Sequence, residues 1–75
     1  MPTTELPLRG EFITLDALLK ATGWAGSGGD AKALIASGAV QVNGEVETRR
    51  GRKLRAGDRV RWGDQQVLIE GPGAQ

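Results

Sequence analysis

The chain contains no cysteine, no histidine and no tyrosine. Without cysteine it has neither a disulfide staple nor a thiolate metal site, and without histidine it lacks the usual general base and imidazole ligand. A reducing, cytoplasmic location fits that composition. Aromatic rings are scarce: Phe12, Trp24 and Trp62 are all there are. The uninterrupted apolar runs are only a few residues long, far short of a membrane-spanning helix, and Met1-Pro2-Thr3-Thr4-Glu5 lacks the basic and then apolar profile of a signal peptide. No partner in a membrane is expected. With 75 residues the chain has length for one small domain around a modest core.

What the chain does have is charge, unevenly placed. Between Thr48 and Arg61 stand Arg49, Arg50, Arg52, Lys53, Arg55, Arg59 and Arg61 against the single acid Asp58, a net of +6. The remaining bases, Arg9, Lys20 and Lys32, face eight acids, a net of −5, so the overall +1 hides a polarised molecule. All but one of the seven clustered bases are arginine, whose planar fork matches two phosphate oxygens at once. Such a patch suits a polyanion, and nucleic acid is the commonest one.

The hydrophobic pattern divides the chain into a helical half and a strand half. Residues 1–11 show no sustained periodicity, and Pro2 and Pro7 discourage a helix, leaving an N-terminal arm or a short edge strand. From Thr14, which can cap a helix, Leu15, Leu18, Leu19 and Thr22 recur at helical spacing with Asp16 in the first turn, and Gly23 supplies a stop. A second helix begins after Ser27, with Asp30 three positions on, buries Ala31, Leu34 and Ile35, and ends at Gly38. The period then switches to two. Val40 and Val42 lead into Asn43-Gly44, the strongest short hairpin signal, and the chain returns through Val46 and Thr48. Leu54 is the apolar anchor of the basic stretch and Gly57-Asp58 a turn. Val60 and Trp62, assigned to the core, precede a turn at Gly63-Asp64, and Val67 and Ile69 return on one face. Residues 71–75 form a loose tail.

Leu15-Asp16-Ala17-Leu18-Leu19 with its spacing to Gly23, then Ser27, Ala31-Lys32 and Leu34-Ile35, Gly38, Val40, Val42-Asn43-Gly44, and finally Gly57-Asp58 and Val60, together resemble the alpha-L RNA-binding motif. This is the S-four domain, named after the fourth protein of the small ribosomal subunit. The resemblance covers about residues 12–62, and the ordered combination is far more specific than any one piece. Gly23-Trp24, Ser27-Gly28 and Glu47-Thr48-Arg49 look closest to the small stand-alone bacterial YbcJ-like proteins. The resemblance implies a helix-helix-hairpin module that binds structured RNA, often ribosomal or transfer RNA, without chemistry of its own. Many members carry arginine where this chain has Thr14 and Gly28. Their absence moves the expected contacts to the stretch after the hairpin and leaves Lys32 as the helical cation.

Each feature also has a plainer reading. The basic stretch could be a solvated loop kept charged for solubility. Arg59 and Arg61 share one strand face, either toward a ligand or in cross-strand pairs with Glu45, Glu47 or Glu70. Gly26-Ser27-Gly28-Gly29 precedes a helix but lacks the Gly-Lys-Ser/Thr ending of a phosphate-binding loop, and is better explained as a flexible cap. Trp24 is open to base stacking or to packing. Asn43 is accounted for by turn geometry. Asp16, Asp30, Asp58 and Asp64 each have a local role, no nucleophile has a neighbouring base, and no set of acids has the spacing of a metal site.

The sequence therefore predicts an α+β domain over residues 12–70, with two short N-terminal helices packed on a small antiparallel sheet of hairpins. It predicts a monomeric, non-catalytic binder of structured RNA, ribosomal or transfer RNA, that acts in ribosome assembly or translation, with ribosomal proteins as further partners. The expected RNA-binding residues are Lys32, Arg49, Arg50, Arg52, Lys53 and Arg55, with no cofactor and no metal. The alternative is a protein-interaction adapter that docks on an acidic protein surface.

Overall fold

Leu15, Leu18 and Leu19 fall on one side of a helix, and in the computed structural model, which describes residues 3–71, all three are fully buried. They form the inner face of α1 (Leu15–Thr22). Gly23 closes it at φ 81°, a left-handed conformation that suits glycine, with its N–H on the Lys20 carbonyl at 3.2 Å. The start differs from the expected cap: Thr14 is extended but its side chain makes no capping bond. The first N–H groups are satisfied from far along the chain, Leu15 N–H on the Arg52 carbonyl at 2.9 Å and Asp16 N–H on the Arg50 carbonyl at 3.0 Å. The second helix, α2 (Gly28–Ala36), starts as its sequence suggests, with the Ser27 hydroxyl accepting from Asp30 N–H at 3.2 Å. Ala31 and Ile35 are its buried residues, and it packs against α1.

The strands are β1 (Thr3–Pro7), β2 (Ile13–Thr14), β3 (Val40–Val42), β4 (Glu45–Val46), β5 (Lys53–Leu54), β6 (Arg59–Trp62) and β7 (Gln65–Glu70). The main sheet runs β1-β7-β6-β3-β4, and β2 pairs antiparallel with β5 in a second, two-stranded sheet. The expected hairpins are there. At the tip of the β3–β4 hairpin Asn43 and Gly44 both have positive φ, 53° and 87°, as a two-residue primed turn requires. The return strand is shorter than expected, since β4 stops at Val46 and Thr48 lies outside it.

Of the two forms open to the N-terminal segment, Thr3–Pro7 takes the strand. It is the outer strand of the main sheet and runs parallel to β7, with Thr3 opposite Gln66 and Pro7 opposite Glu70, so one of the sheet's pairings is parallel. Leu8, directly after it, belongs to the core. Of the tail expected at residues 71–75, all but Gly71 lies outside the described residues.

Strand alternation sends Val40, Val42, Val60, Val67 and Ile69 to the side covered by the helices, where they meet Leu15, Leu18, Leu19, Ile35 and Leu54. Trp62 is half-buried at the end of β6, packed against the core rather than within it. It faces Trp24 with ring centroids 5.6 Å apart and planes tilted by 47°, while Trp24 Nε1 donates to Gln65 Oε1 at 2.9 Å. Trp24 therefore has a packing role, in an aromatic pair at the rim.

Candidate nucleic-acid interface

Arg49 to Arg55 links the β3–β4 hairpin to β6, and three attachments fix its course. Leu54 is fully buried, β5 pairs with β2 through Ile13–Leu54 and Thr14–Lys53, and the Arg50 and Arg52 carbonyls accept from the first turn of α1. The backbone is thus tied down while the cationic side chains project from it. Burying one leucine amid five cations is what a two-residue strand achieves, because Lys53 and Arg55 flank Leu54 and turn outward.

Glu47, only 7 % exposed, orders the beginning of the stretch. Its N–H continues the hairpin to the Val40 carbonyl at 3.0 Å. Its carboxylate accepts from Arg49 N–H at 3.0 Å, from the Arg49 guanidinium at 3.1 and 3.2 Å, and from Arg52 Nη1 at 2.8 Å. Chiefly through the Arg49 side chain, then Arg52, the carboxyl is pulled down to about 2. The same bonds raise the Arg49 guanidinium further. Arg49 and Arg52 are therefore not simple free forks; each already holds one carboxylate. The Arg49 side chain nonetheless remains 74 % exposed and keeps donor capacity for a second anion.

The other predicted residues are arranged differently. Lys53 is exposed and its Nζ sits 5.1 Å from the centroid of the Phe12 ring, itself 42 % exposed, a cation–π contact that holds the ammonium beside β2. Arg50 is exposed near the start of α1, where the Asp16 carboxyl is held below the usual range chiefly by the Thr14 hydroxyl, with the Ala17 N–H and the Lys20 charge next and the Arg50 charge last. Arg55 is exposed, its backbone N–H donating to Asp58 Oδ2 at 2.8 Å. Lys32 is exposed on α2 and, among the described residues, makes no hydrogen bond or ion pair with the stretch. The fold thus gathers Arg49, Arg50, Arg52 and Lys53 around the start of α1, places Arg55 beyond Leu54 and leaves Lys32 on the neighbouring helix.

Sequence reasoning passed over Glu47 as an organiser. The available signal was an acid placed two residues before Arg49 and five before Arg52. It also treated Asn43 as a turn residue alone, whereas its side chain joins two turns: Arg59 N–H donates to Asn43 Oδ1 at 3.0 Å and Asn43 Nδ2 donates to Asp58 Oδ1 at 3.1 Å. Arg59 and Arg61 do not pair with Glu45, Glu47 or Glu70, because the two ion pairs among the described residues both belong to Glu47 and the stretch. Among the described residues no three acids cluster as a metal site would need, and no helix is long and apolar enough to cross a membrane.

The chain is similar to known proteins along most of its length. A family model described as the S4 domain matches residues 6–70. The chain is 44% identical over 57 residues to the Escherichia coli (strain K12) protein named "Putative RNA-binding protein YbcJ", a match spanning 76% of this chain and 81% of that one. YbcJ of Shigella flexneri matches with the same identity and coverage. The solution structure of E. coli YbcJ, described as revealing an alpha-L motif involved in RNA binding, superposes with a TM-score of 0.62 at 40% identity. That match covers 93% of this chain and 87% of the other.

Proposed function

The chain belongs to the S4 domain family, and from that premise we propose that it is a non-catalytic binder of structured RNA, ribosomal or transfer RNA, serving ribosome assembly or translation in the cytoplasm. Arg49, Arg50, Arg52, Lys53 and Arg55 hold the phosphates, with Lys32 contributing from α2. The observation that carries this reading is the display of five cations on a backbone tied to α1 and anchored by Leu54, with Glu47 offsetting only one of the charges. A solvated loop kept charged for solubility needs no such anchoring. A positioned set of cations does, because pre-ordering lowers the entropy lost on binding.

Binding of this kind weakens with salt through counterion release. With about five phosphates neutralised, the logarithmic slope is about −3.5 on a single strand. The test is crosslinking in cells, followed by sequencing of the RNA bound to the wild type and to a variant with Arg49, Arg50, Arg52 and Lys53 changed to alanine. A discrete ribosomal or transfer RNA site, lost in a variant whose circular dichroism is unchanged, supports the proposal. Equal, diffuse background from both proteins refutes it and turns attention to an acidic protein as the partner.

A further inference from the structure

On the face of the main sheet that the helices leave uncovered, one row of side chains crosses all five strands. Thr3 lies opposite Gln66, Gln66 opposite Arg61, Arg61 opposite Gln41, and Gln41 opposite Val46. A second row places Glu5 beside Leu68 and Leu68 beside Arg59. Arg59 and Arg61 stand two residues apart on β6, both exposed, while Val60 between them points into the core. At about 3.3 Å per residue their Cα atoms are about 6.6 Å apart, a separation comparable to that of successive phosphates along an extended strand. Together with Gln41, Gln66, Asn43 and Gly57 the two arginines line a polar basin of about 500 Å³.

The charges in this basin are unanswered. The nearest acid in sequence, Asp58, is occupied by Arg55 N–H and Asn43 Nδ2. Glu5 stands two strands from Arg59 and forms no ion pair with it. Among the described residues Arg59 makes no side-chain hydrogen bond, and Arg61 spends only its Nε, on the Gly63 carbonyl at 3.1 Å, leaving both terminal nitrogens free. Two unpaired guanidinium forks flanked by side-chain amides suit a ligand that offers many anionic and neutral oxygens in a row. No aromatic ring lies on this face, so the ligand's bases have nothing to stack upon.

We propose that the open sheet face is a second RNA-contact surface, in which Arg59 and Arg61 take consecutive phosphates of an RNA strand while Gln41 and Gln66 hydrogen-bond its sugar–phosphate edge. The inference rests on the RNA-binding reading above but uses neither its residues nor its side of the sheet. One chain thereby touches RNA on both faces, with the anchored loop as one hold and the basin as the other. The contact is indifferent to base identity.

The test compares the full chain with an Arg59→Gln/Arg61→Gln variant and with the four-site alanine variant of the loop. Poly(U), poly(A) and total transfer RNA are titrated by fluorescence anisotropy between about 50 and 200 mM salt, and amide NMR spectra verify the fold. The sheet variant is expected to lose about 1.4 from the logarithmic salt slope on both homopolymers alike, about 0.7 for each lost contact. An unchanged slope and affinity overturn the second surface while the loop reading stands. A loss confined to one homopolymer also overturns it, since that would mean base recognition. If the wild type binds none of the three RNAs at low salt, the functional reading falls and this inference with it.

Discussion

Arg49 lies against Glu47 through two near-parallel bonds, Nε to Oε2 at 3.1 Å and Nη2 to Oε1 at 3.2 Å. The pair closes a loop of three residues at the point where the hairpin gives way to the cationic stretch, and Arg52 joins it at 2.8 Å.

That geometry makes a pH prediction. The Glu47 carboxyl is lowered from 4.5 to about 2 in the folded protein, so its contribution to stability is complete above the unfolded value and is lost as pH falls from about 4.5 through about 2. Urea midpoints measured across this window should fall for the wild type and fall less for Glu47→Gln. Asp16, also lowered, accounts for part of the remainder. Between pH 6 and 8 the two proteins should show parallel, flat profiles; equal acid sensitivity in wild type and variant would sink the assignment.

Single substitutions should separate engaged from free arginines. Arg50 makes no side-chain hydrogen bond among the described residues, whereas Arg49 already holds Glu47. At about 0.1 M salt, Arg50→Ala should weaken RNA binding about fivefold, from a slope of about 0.7 per contact. Arg49→Ala should cost about twofold or less, because the Arg49 fork already spends Nε and Nη2 on Glu47 and offers fewer donors to a phosphate. Anisotropy titrations against transfer RNA give the ranking, and the reverse order would show Arg49 to be the dominant contact.

The two helix starts predict opposite outcomes for apparently similar caps. Ser27→Ala removes an accepted hydrogen bond and should cost about 1 kcal/mol in urea unfolding. Thr14→Ala removes no capping bond, and the N–H groups of Leu15 and Asp16 keep their carbonyl partners on Arg52 and Arg50. Its cost should be no more than about half that of Ser27→Ala.

Leu54 joins the cationic stretch to the core. Leu54→Ala should cost about 2 to 5 kcal/mol, as truncation of a buried leucine does. It should also weaken RNA binding although it removes no charge. Leu54→Met, which conserves volume, should restore both within about 1.5 kcal/mol. Stability restored without affinity would show that the anchor does not position the cations.

How much of this was written locally in the chain varies from one element to the next. Gly23, Ser27, Gly38 and Asn43-Gly44 each carry their signal within a turn, and the helices and the first hairpin end where those residues direct. The β2–β5 pairing joins residues 13–14 to 53–54 through strands of two residues, too short for any period to register, and nothing nearby in sequence announces it. The parallel β1–β7 pairing is hidden for another reason: β1 is exposed except at the half-buried Leu6, so it shows no apolar alternation, and its partner lies at the far end of the fold. Trp62 sits in phase with Val60, which pointed to the core, but its position at the end of β6 opposite Val40 brings it to the rim beside Trp24. The composition of the candidate site was plain from its charge. Its internal order was not, because the choice of Glu47 as the partner of Arg49 and Arg52 depends on how the hairpin exits.

The parallel strand at the sheet's edge also orders events in time. β1 precedes every other element of this fold in chain order and β7 follows them all, yet each is the other's neighbour over five residue pairs. During synthesis from the N-terminus, Thr3–Pro7 must therefore wait unpaired while the helices and the β3–β4 hairpin form from contacts close in sequence. Completing the sheet therefore requires β7, the last of its strands in chain order, to dock on β1, the first, and no local helix or turn substitutes for that long-range pairing.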